Sequence, residues 1–401
     1  MPCSKKFLRR PRPYPTESLA SYIIRLAENN YYPSVNWIFQ MSGLKRRGVY
    51  ANVFSPKTDD LSQLCLLSET EEEVLWSMAF PSVNQSHFRT LNTVEVFGNV
   101  IPLSALKKSY VKLCPICLDE SPYYRQVWNL SIVTACPIHQ CLLIDRCPQC
   151  QQEILWSRPS IVKSKCQLDW RSFQPKLVEV EQVSLSSHVY NLCQLAGRVS
   201  SQNLSIAHPV SHLSLNHLVT LLESLARFCQ HPLVKQIFFS DSFQLFSNSD
   251  VYFDSLFALL KNWPQDLFSR IEEYELYLNH FYGSCYITSK TDLDMFAFFQ
   301  AILSCFAPDS CRLMREVLED YFWKFLRKMS LKRLQVSFYK HSKFYSIGAP
   351  LTKANALFRR LTDKLDLSGL TLAKLLSESR IDIYEQTIFF KMPYFPSPCF
   401  I

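Results

Sequence analysis

The chain has 401 residues, 43 Lys and Arg against 35 Asp and Glu for a formal net charge of +8, and 15 cysteines but only 7 glycines. Against a usual glycine share of about 7%, that scarcity leaves no G-x-G-x-x-G and no G-x-x-x-x-G-K. A nucleotide cradle of Gly-rich backbone is excluded, and with it a Rossmann dehydrogenase or a P-loop ATPase. Few turn formers among abundant Leu, Phe, Ser and Tyr point to a mainly α protein.

At roughly 150 residues per domain, two or three domains are expected. The predicted layout is an N-terminal helix-turn-helix-like domain with a basic arm over 1–110, a small zinc-ribbon or zinc-knuckle region over 111–175, and a helical C-terminal domain over 176–401. No apolar run approaches the roughly 18 residues that cross a bilayer. The start is basic and Pro-broken rather than followed by an apolar segment. A soluble, cytoplasmic chain without a membrane partner is expected.

Residues 1–50 hold nine basic and two acidic side chains. Such an excess reads either as a solvated face or as a footprint for phosphate backbone or an RNA-bearing partner. Pro11-Arg12-Pro13-Tyr14-Pro15 forbids helix and leaves an extended arm. Thr16 then stands where an N-cap belongs, with Glu17 in the first turn. Leu19, Tyr22, Ile23, Leu26 and Ala27 form one apolar stripe, ended by Asn29 and Asn30. A second short helix from Ser34, with Val35, Ile38 and Phe39, runs to Gly43 ahead of Lys45-Arg46-Arg47. The pair reads equally as a helix-turn-helix or as plain helical packing.

From Thr58 to Met78 the acidic stretch with Glu69, Glu71, Glu72 and Glu73 predicts a solvated helix face. Beyond the cysteines, amphipathic helices are predicted over Leu213–Phe228, Val251–Leu260, Leu267–Leu278 and Arg312–Met329, with Trp263-Pro264 closing one and starting the next. Their aromatic residues read as core. Near the C-terminus, Leu370, Leu372, Ala373, Leu375 and Leu376, a polar Ser377-Glu378-Ser379 turn, and Ile381, Ile383 and Ile388 give a second helix-turn-helix-like pattern at 365–391.

Seven of the 15 cysteines lie between Cys114 and Cys166 at metal-ligand spacing, which suits a reducing compartment. Cys114-Pro115-Ile116-Cys117 and Cys136-Pro137-Ile138-His139 are two knuckles, and two such pairs close a tetrahedron around zinc. Four protein donors leave no position for water, so a structural staple is predicted. Cys147-Pro148-Gln149-Cys150 opens a second site, to which Cys166 adds a third thiol. The fourth, expected three residues later, is Asp169. A carboxylate can ligate zinc; the alternative is a degenerate ribbon held by packing of Trp156 and Trp170. One zinc is expected and a second is possible. Cys141, between the sites, reads as a spare. No His-x-Glu precedes the knuckle, so the zinc deaminase signature fails.

Taken together these motifs resemble a known family. Pro13-Tyr14-Pro15-Thr16-Glu17-Ser18-Leu19 with Arg25-Leu26-Ala27 is similar to the opening signature of the TniQ family. So is the order C-x-x-C, Trp128, C-x-x-H, Leu142 or Leu143, and a second C-x-x-C, while Asn262-Trp263-Pro264 resembles a motif of its helical C-terminal half. The resemblance spans residues 7–170 and, more loosely, the remainder. It implies a non-catalytic target-selection protein of a cut-and-paste transposon. Longer members, similar to TnsD, bind an attachment sequence in DNA directly. Members of this chain's length resemble the TniQ of type I-F CRISPR-associated transposons. Those dimerise head to tail, dock on the crRNA-guided Cascade complex near its crRNA-repeat-binding end, and recruit the AAA+ regulator TnsC. The length favours this second kind, a homodimeric adaptor that meets target DNA mainly indirectly. The ligand positions that carry over are Cys114, Cys117, Cys136, His139, Cys147, Cys150 and Cys166, and Asp169 departs from the family's usual Cys.

Three classes of function remain open: the adaptor, a TnsD-like sequence-specific DNA binder using residues 5–12 and 45–47, and an enzyme. The last has no local support in the sequence, which offers no nucleophile beside a base, no phosphate loop and no open zinc.

Overall fold

A computed structural model describes residues 6–44, 61–83, 93–107, 110–156, 158–195, 209–229, 251–282, 295, 298–299, 301–306 and 309–328. The Lys45-Arg46-Arg47 cluster and the helix-turn-helix-like pattern at 365–391 lie outside the described residues. Within them the protein is mainly helical with two short antiparallel strand pairs. It divides into two units, Met1–Arg227 with Asp241–Trp263, and Phe228–Ser240 with Pro264–Ile401. Among the described residues, no helix is long and apolar enough to cross a membrane.

The first helix, α1, spans Leu19–Asn29 and buries the predicted stripe. Its cap is Ser18, whose side chain accepts the Ser21 amide, and not Thr16. Thr16 instead sits at φ 67°, a left-handed backbone that redirects the chain before the helix begins. Glu17 is therefore no surface first-turn acid. It is wholly buried, accepts from the Tyr14 amide and the Ser21 hydroxyl, and pairs with Arg25 at 2.5 Å. Burial raises its carboxyl above the ordinary range despite that guanidinium. The second helix, α2, spans Asn36–Ser42 and ends at Gly43, whose φ of 68° a side chain would resist.

The acidic stretch splits into α3, Ser62–Ser68, and α4, Glu72–Ser77. Glu69, between them, pairs with Lys6 and Arg10 of the arm. Exposed pairs of this kind hold little; the arm is anchored by buried Phe7, whose amide donates to the Leu67 carbonyl at 3.0 Å. A hairpin absent from the sequence reading follows, β1 Thr93–Val96 and β2 Asn99–Pro102. It turns through Phe97 and Gly98, at φ 48° and 73°, the double left-handed turn that matches strand twist.

The cysteine region has little regular structure, so its backbone groups need other partners. Buried Lys112 supplies one: its Nζ donates to the carbonyls of Leu130 at 2.7 Å, Ser131 at 3.3 Å and Val133. Lys112→Met leaves these oxygens short of a donor and is expected to lower stability by about 3 kcal/mol. Urea unfolding measures this, and a loss under about 1 kcal/mol would mean that another donor takes over.

Helix α6, Val180–Leu192, packs on this region. Its Ser186 hydroxyl accepts the Thr134 and Ala135 amides at 3.2 Å, and its Tyr190 hydroxyl accepts from Trp128 Nε1 at 3.1 Å. Helices α7, Leu215–Phe228, and α8, Val251–Leu259, match their predicted spans closely. The α6 residue His188 is buried, its ring 6.0 Å from that of Phe257. Burial holds its imidazole below the ordinary range, against a backbone bond with Val210. As pH falls, the unfolded chain takes up a proton that the folded chain resists. The contribution is thus present above about pH 6.5 and is lost as pH drops through the depressed folded value. Unfolding free energies from urea titrations at about pH 7.5 and about pH 5.5 should fall less in His188→Gln than in the parent, by at most about 1.4 kcal/mol per pH unit. Equal falls would count against a buried neutral imidazole.

In the second unit, α9 spans Gln265–Tyr282. It starts directly after Pro264, whose carbonyl accepts the Phe268 amide at 3.0 Å, as a first-turn proline permits. With α10, Arg312–Lys328, it builds an aromatic core. Phe268 stacks on Tyr321 at 4.0 Å, Tyr274 on Phe298 at 4.4 Å, and Phe299 lies 4.8 Å from Phe322.

Candidate metal centre

Cys114 and Cys117 sit at the start of α5, Pro115–Glu120. Pro115 gives up no helical hydrogen bond there, and the Cys114 sulfur accepts the Cys117 amide at 3.4 Å. Cys136 and His139 come from the turn between β3, Ala135–Cys136, and β4, Cys141–Leu142. The Cys117 and Cys136 sulfurs are 3.6 Å apart. His139 Nδ1 lies 3.5, 3.3 and 3.7 Å from the sulfurs of Cys114, Cys117 and Cys136. Tetrahedral zinc, with bonds of about 2.3 Å to sulfur and about 2.0 Å to nitrogen, needs edges of about 3.8 Å between sulfurs and about 3.5 Å from sulfur to nitrogen. The four residues could hold a metal ion, and their spacing suits zinc.

The surroundings fit the same chemistry. His139 Nε2 faces Glu120 Oε1 at 3.0 Å, which leaves Nδ1 as the metal-facing atom and supports the ring from outside. The buried thiols share protons unequally: hydrogen bonds from Cys114 and Cys117 hold Cys136 far below the usual thiol range. Arg125 Nη2 is 3.6 Å from the Cys117 sulfur and brings positive charge to an anionic donor set. Cys141, read from sequence as a spare, lies directly opposite Cys136 in the β3–β4 pair, with its sulfur 3.5 Å from that of Cys114.

This centre also bears on the N-terminal helices. Just past α5, the Tyr124 carbonyl accepts the Ser18 amide at 2.9 Å and the Gln126 amide donates to the Thr16 carbonyl at 2.7 Å. The segment that a metal would fasten is thus the one on which the α1 cap rests. At its other end, α1 presents Glu28 to the Ser160 hydroxyl at 2.9 Å and the Ile161 amide at 3.2 Å.

Cys147, Cys150 and Cys166 form a second group that could hold a metal ion. The Cys147 and Cys166 sulfurs are 3.6 Å apart. Burial raises the Cys147 thiol, but bonds from the backbone of Cys150 and Gln149 outweigh it and bring the thiol down to about 7. Asp169 is not brought to these sulfurs. Its carboxylate accepts from Arg171 Nε at 3.0 Å and Nη2 at 2.6 Å, and caps the short turn Trp170–Ser172.

Backbone conformation explains the difference. His139, Cys150 and Cys166 each precede a left-handed glutamine: Gln140, Gln151 and Gln167 at φ 48°, 57° and 68°. By that likeness Cys166 closes its turn as His139 and Cys150 close theirs. In those turns the first donor lies three residues earlier, a place held here by Lys163; Ser164, one residue further on, has its hydroxyl 3.0 Å from the Cys166 sulfur and is also bonded to Cys147. Ser164, Glu120 and Arg125 touch the donor residues, and sequence reasoning missed all three because no spacing rule announces such neighbours.

Residues 8–143 match the sequence model of a family described as TniQ. The matched span runs from the arm through the whole Cys114–His139 donor set. No curated protein matches the chain.

Proposed function

We propose that the chain is a TniQ-family protein that selects the target of a cut-and-paste transposon as a non-catalytic adaptor. A homodimer docks on a type I-F Cascade complex with its crRNA, near the crRNA-repeat-binding end, and recruits TnsC. The observation that carries this reading is the family match over residues 8–143, which takes in both the N-terminal helices and the first donor set. Zinc at Cys114, Cys117, Cys136 and His139 has the role of a staple: four protein donors fill the tetrahedron, and the segment it fastens supports α1. With sequence choice delegated to guide RNA, such an adaptor needs protein-contact surfaces and modest basic patches rather than a base-reading helix.

Co-purification tests the reading. The untagged protein is offered to tagged Cascade from the same element and, in parallel, to immobilised random duplex DNA at physiological salt. Retention by Cascade and not by DNA is expected, with a dimer by light scattering. Retention by duplex alone, with a preference of about a thousandfold for one sequence, would replace the adaptor with a direct DNA-binding selector.

A further inference from the structure

We infer that Cys141 is a fifth donor of the first metal centre, able to replace His139 and convert the site from three thiolates and an imidazole to four thiolates. The inference rests on the reading that this centre holds a divalent metal of zinc's kind. Its starting point is position. Cys136 and Cys141 are directly paired across β3 and β4, so their side chains leave the same face of the ladder, close together. Cys141 is fully buried, and its sulfur reaches to 3.5 Å from that of Cys114. That separation is close to the sulfur–sulfur edge of about 3.8 Å in a zinc tetrahedron.

Position singles out which donor it replaces. The Cys141 sulfur lies against that of Cys114, and Cys136 faces it across the ladder, so it approaches the centre from among the thiols. The three sulfurs form, with His139 Nδ1, a group whose donor atoms lie within 4.8 Å of one another, and Cys141 stands just outside it; in the exchange its sulfur moves onto the three as the imidazole leaves. His139 is also the least enclosed member, on a turn whose next residue, Gln140, is left-handed at φ 48°. Four thiolates around a divalent cation carry one more negative charge than three with a neutral imidazole. Arg125, buried and 3.6 Å from the Cys117 sulfur, is the cation already in place to offset it.

Four forms of the full chain decide the matter: parent, His139→Ala, Cys141→Ser and the double variant, each purified reduced and analysed for zinc, then exchanged with Co2+. Cys141→Ser should keep the parent's metal and spectrum. His139→Ala should keep its metal too, with the thiolate-to-cobalt absorption raised by about one third as three sulfurs become four. The double variant should lose the metal of this centre. The inference is overturned if His139→Ala and the milder His139→Asn both lose that metal or fail to fold, or if His139→Ala keeps three-thiolate absorption. A parent without metal would instead defeat the underlying reading.

Discussion

Replacing both thiols of the first knuckle, Cys114→Ser with Cys117→Ser, is expected to remove the metal of the first centre and to lower the stability of the unit built on it by several kcal/mol. Structural zinc contributes roughly 10 to 16 kcal/mol of apparent binding free energy at neutral pH. Both thiols are replaced because, if Cys141 is a further donor as inferred above, loss of Cys117 alone still leaves the thiols of Cys114, Cys136 and Cys141 to hold a metal. The double replacement leaves only the donors of the β3–β4 turn, with nothing on α5 to fasten. Damage then spreads along a defined route. A serine at 114 still caps α5, but Arg125 loses the Cys117 sulfur, and the Thr16 and Ser18 contacts of residues 124–126 lose the metal that held their segment. Unfolding by urea should show a lower midpoint and no further fall when a chelator is added, whereas the parent falls on chelation to about the variant's level. A variant with the parent's metal content, or a parent indifferent to chelators, would refute the staple.

How much of this could be read beforehand depends on how local the determinants are. The α1 stripe was legible because its residues recur at helical spacing and need no distant partner. The first donor set was legible for a similar reason: each knuckle is one turn of chain, and two of them complete the site. The α1 cap was misplaced because Thr16 and Ser18 are both good caps by type. What selects Ser18 is the left-handed Thr16 backbone and the burial of Glu17 against Arg25, two turns away. Cys141 gained its neighbours only when β3 and β4 paired, and nothing in its spacing announces that. The β1–β2 hairpin was passed over because each strand has four residues and its turn is Phe97-Gly98 rather than a stronger signal. Three thiols of the second donor set came together as expected, and Asp169 alone was misjudged, for a subtler reason. Counting forward from Cys166 assumes that it opens a knuckle, and glutamine, unlike glycine or asparagine, gives no warning of the left-handed turn that makes it the closing donor.

That register leads to the other large effect. Ser164→Cys is expected to complete the second centre, so that the purified chain carries two tightly held metal ions, with the second bound about a hundredfold more tightly than in the parent. A neutral hydroxyl is a poor ligand beside thiolates, whereas a cysteine at this position loses its proton on binding and adds the fourth charge-bearing sulfur. The position is suited to it. Ser164 is buried, lies 3.0 Å from the Cys166 sulfur and is anchored by its own amide to the Leu168 carbonyl at 2.9 Å. The turn must open by somewhat less than 1 Å to reach a sulfur–sulfur edge of about 3.8 Å. It is closed by one residue fewer than the Cys147–Gln152 turn, so the fit is tight but local. Asp169→Ala supplies the contrast, because its carboxylate is occupied by Arg171 and should take no part in metal binding. Metal content after passage over a mild chelating resin separates the cases: two ions in Ser164→Cys, and the same content in Asp169→Ala as in the parent. If Asp169→Ala sheds metal that the parent keeps, or if Ser164→Cys gains none, the closing position assigned to Cys166 is wrong and the carboxylate returns as the fourth ligand.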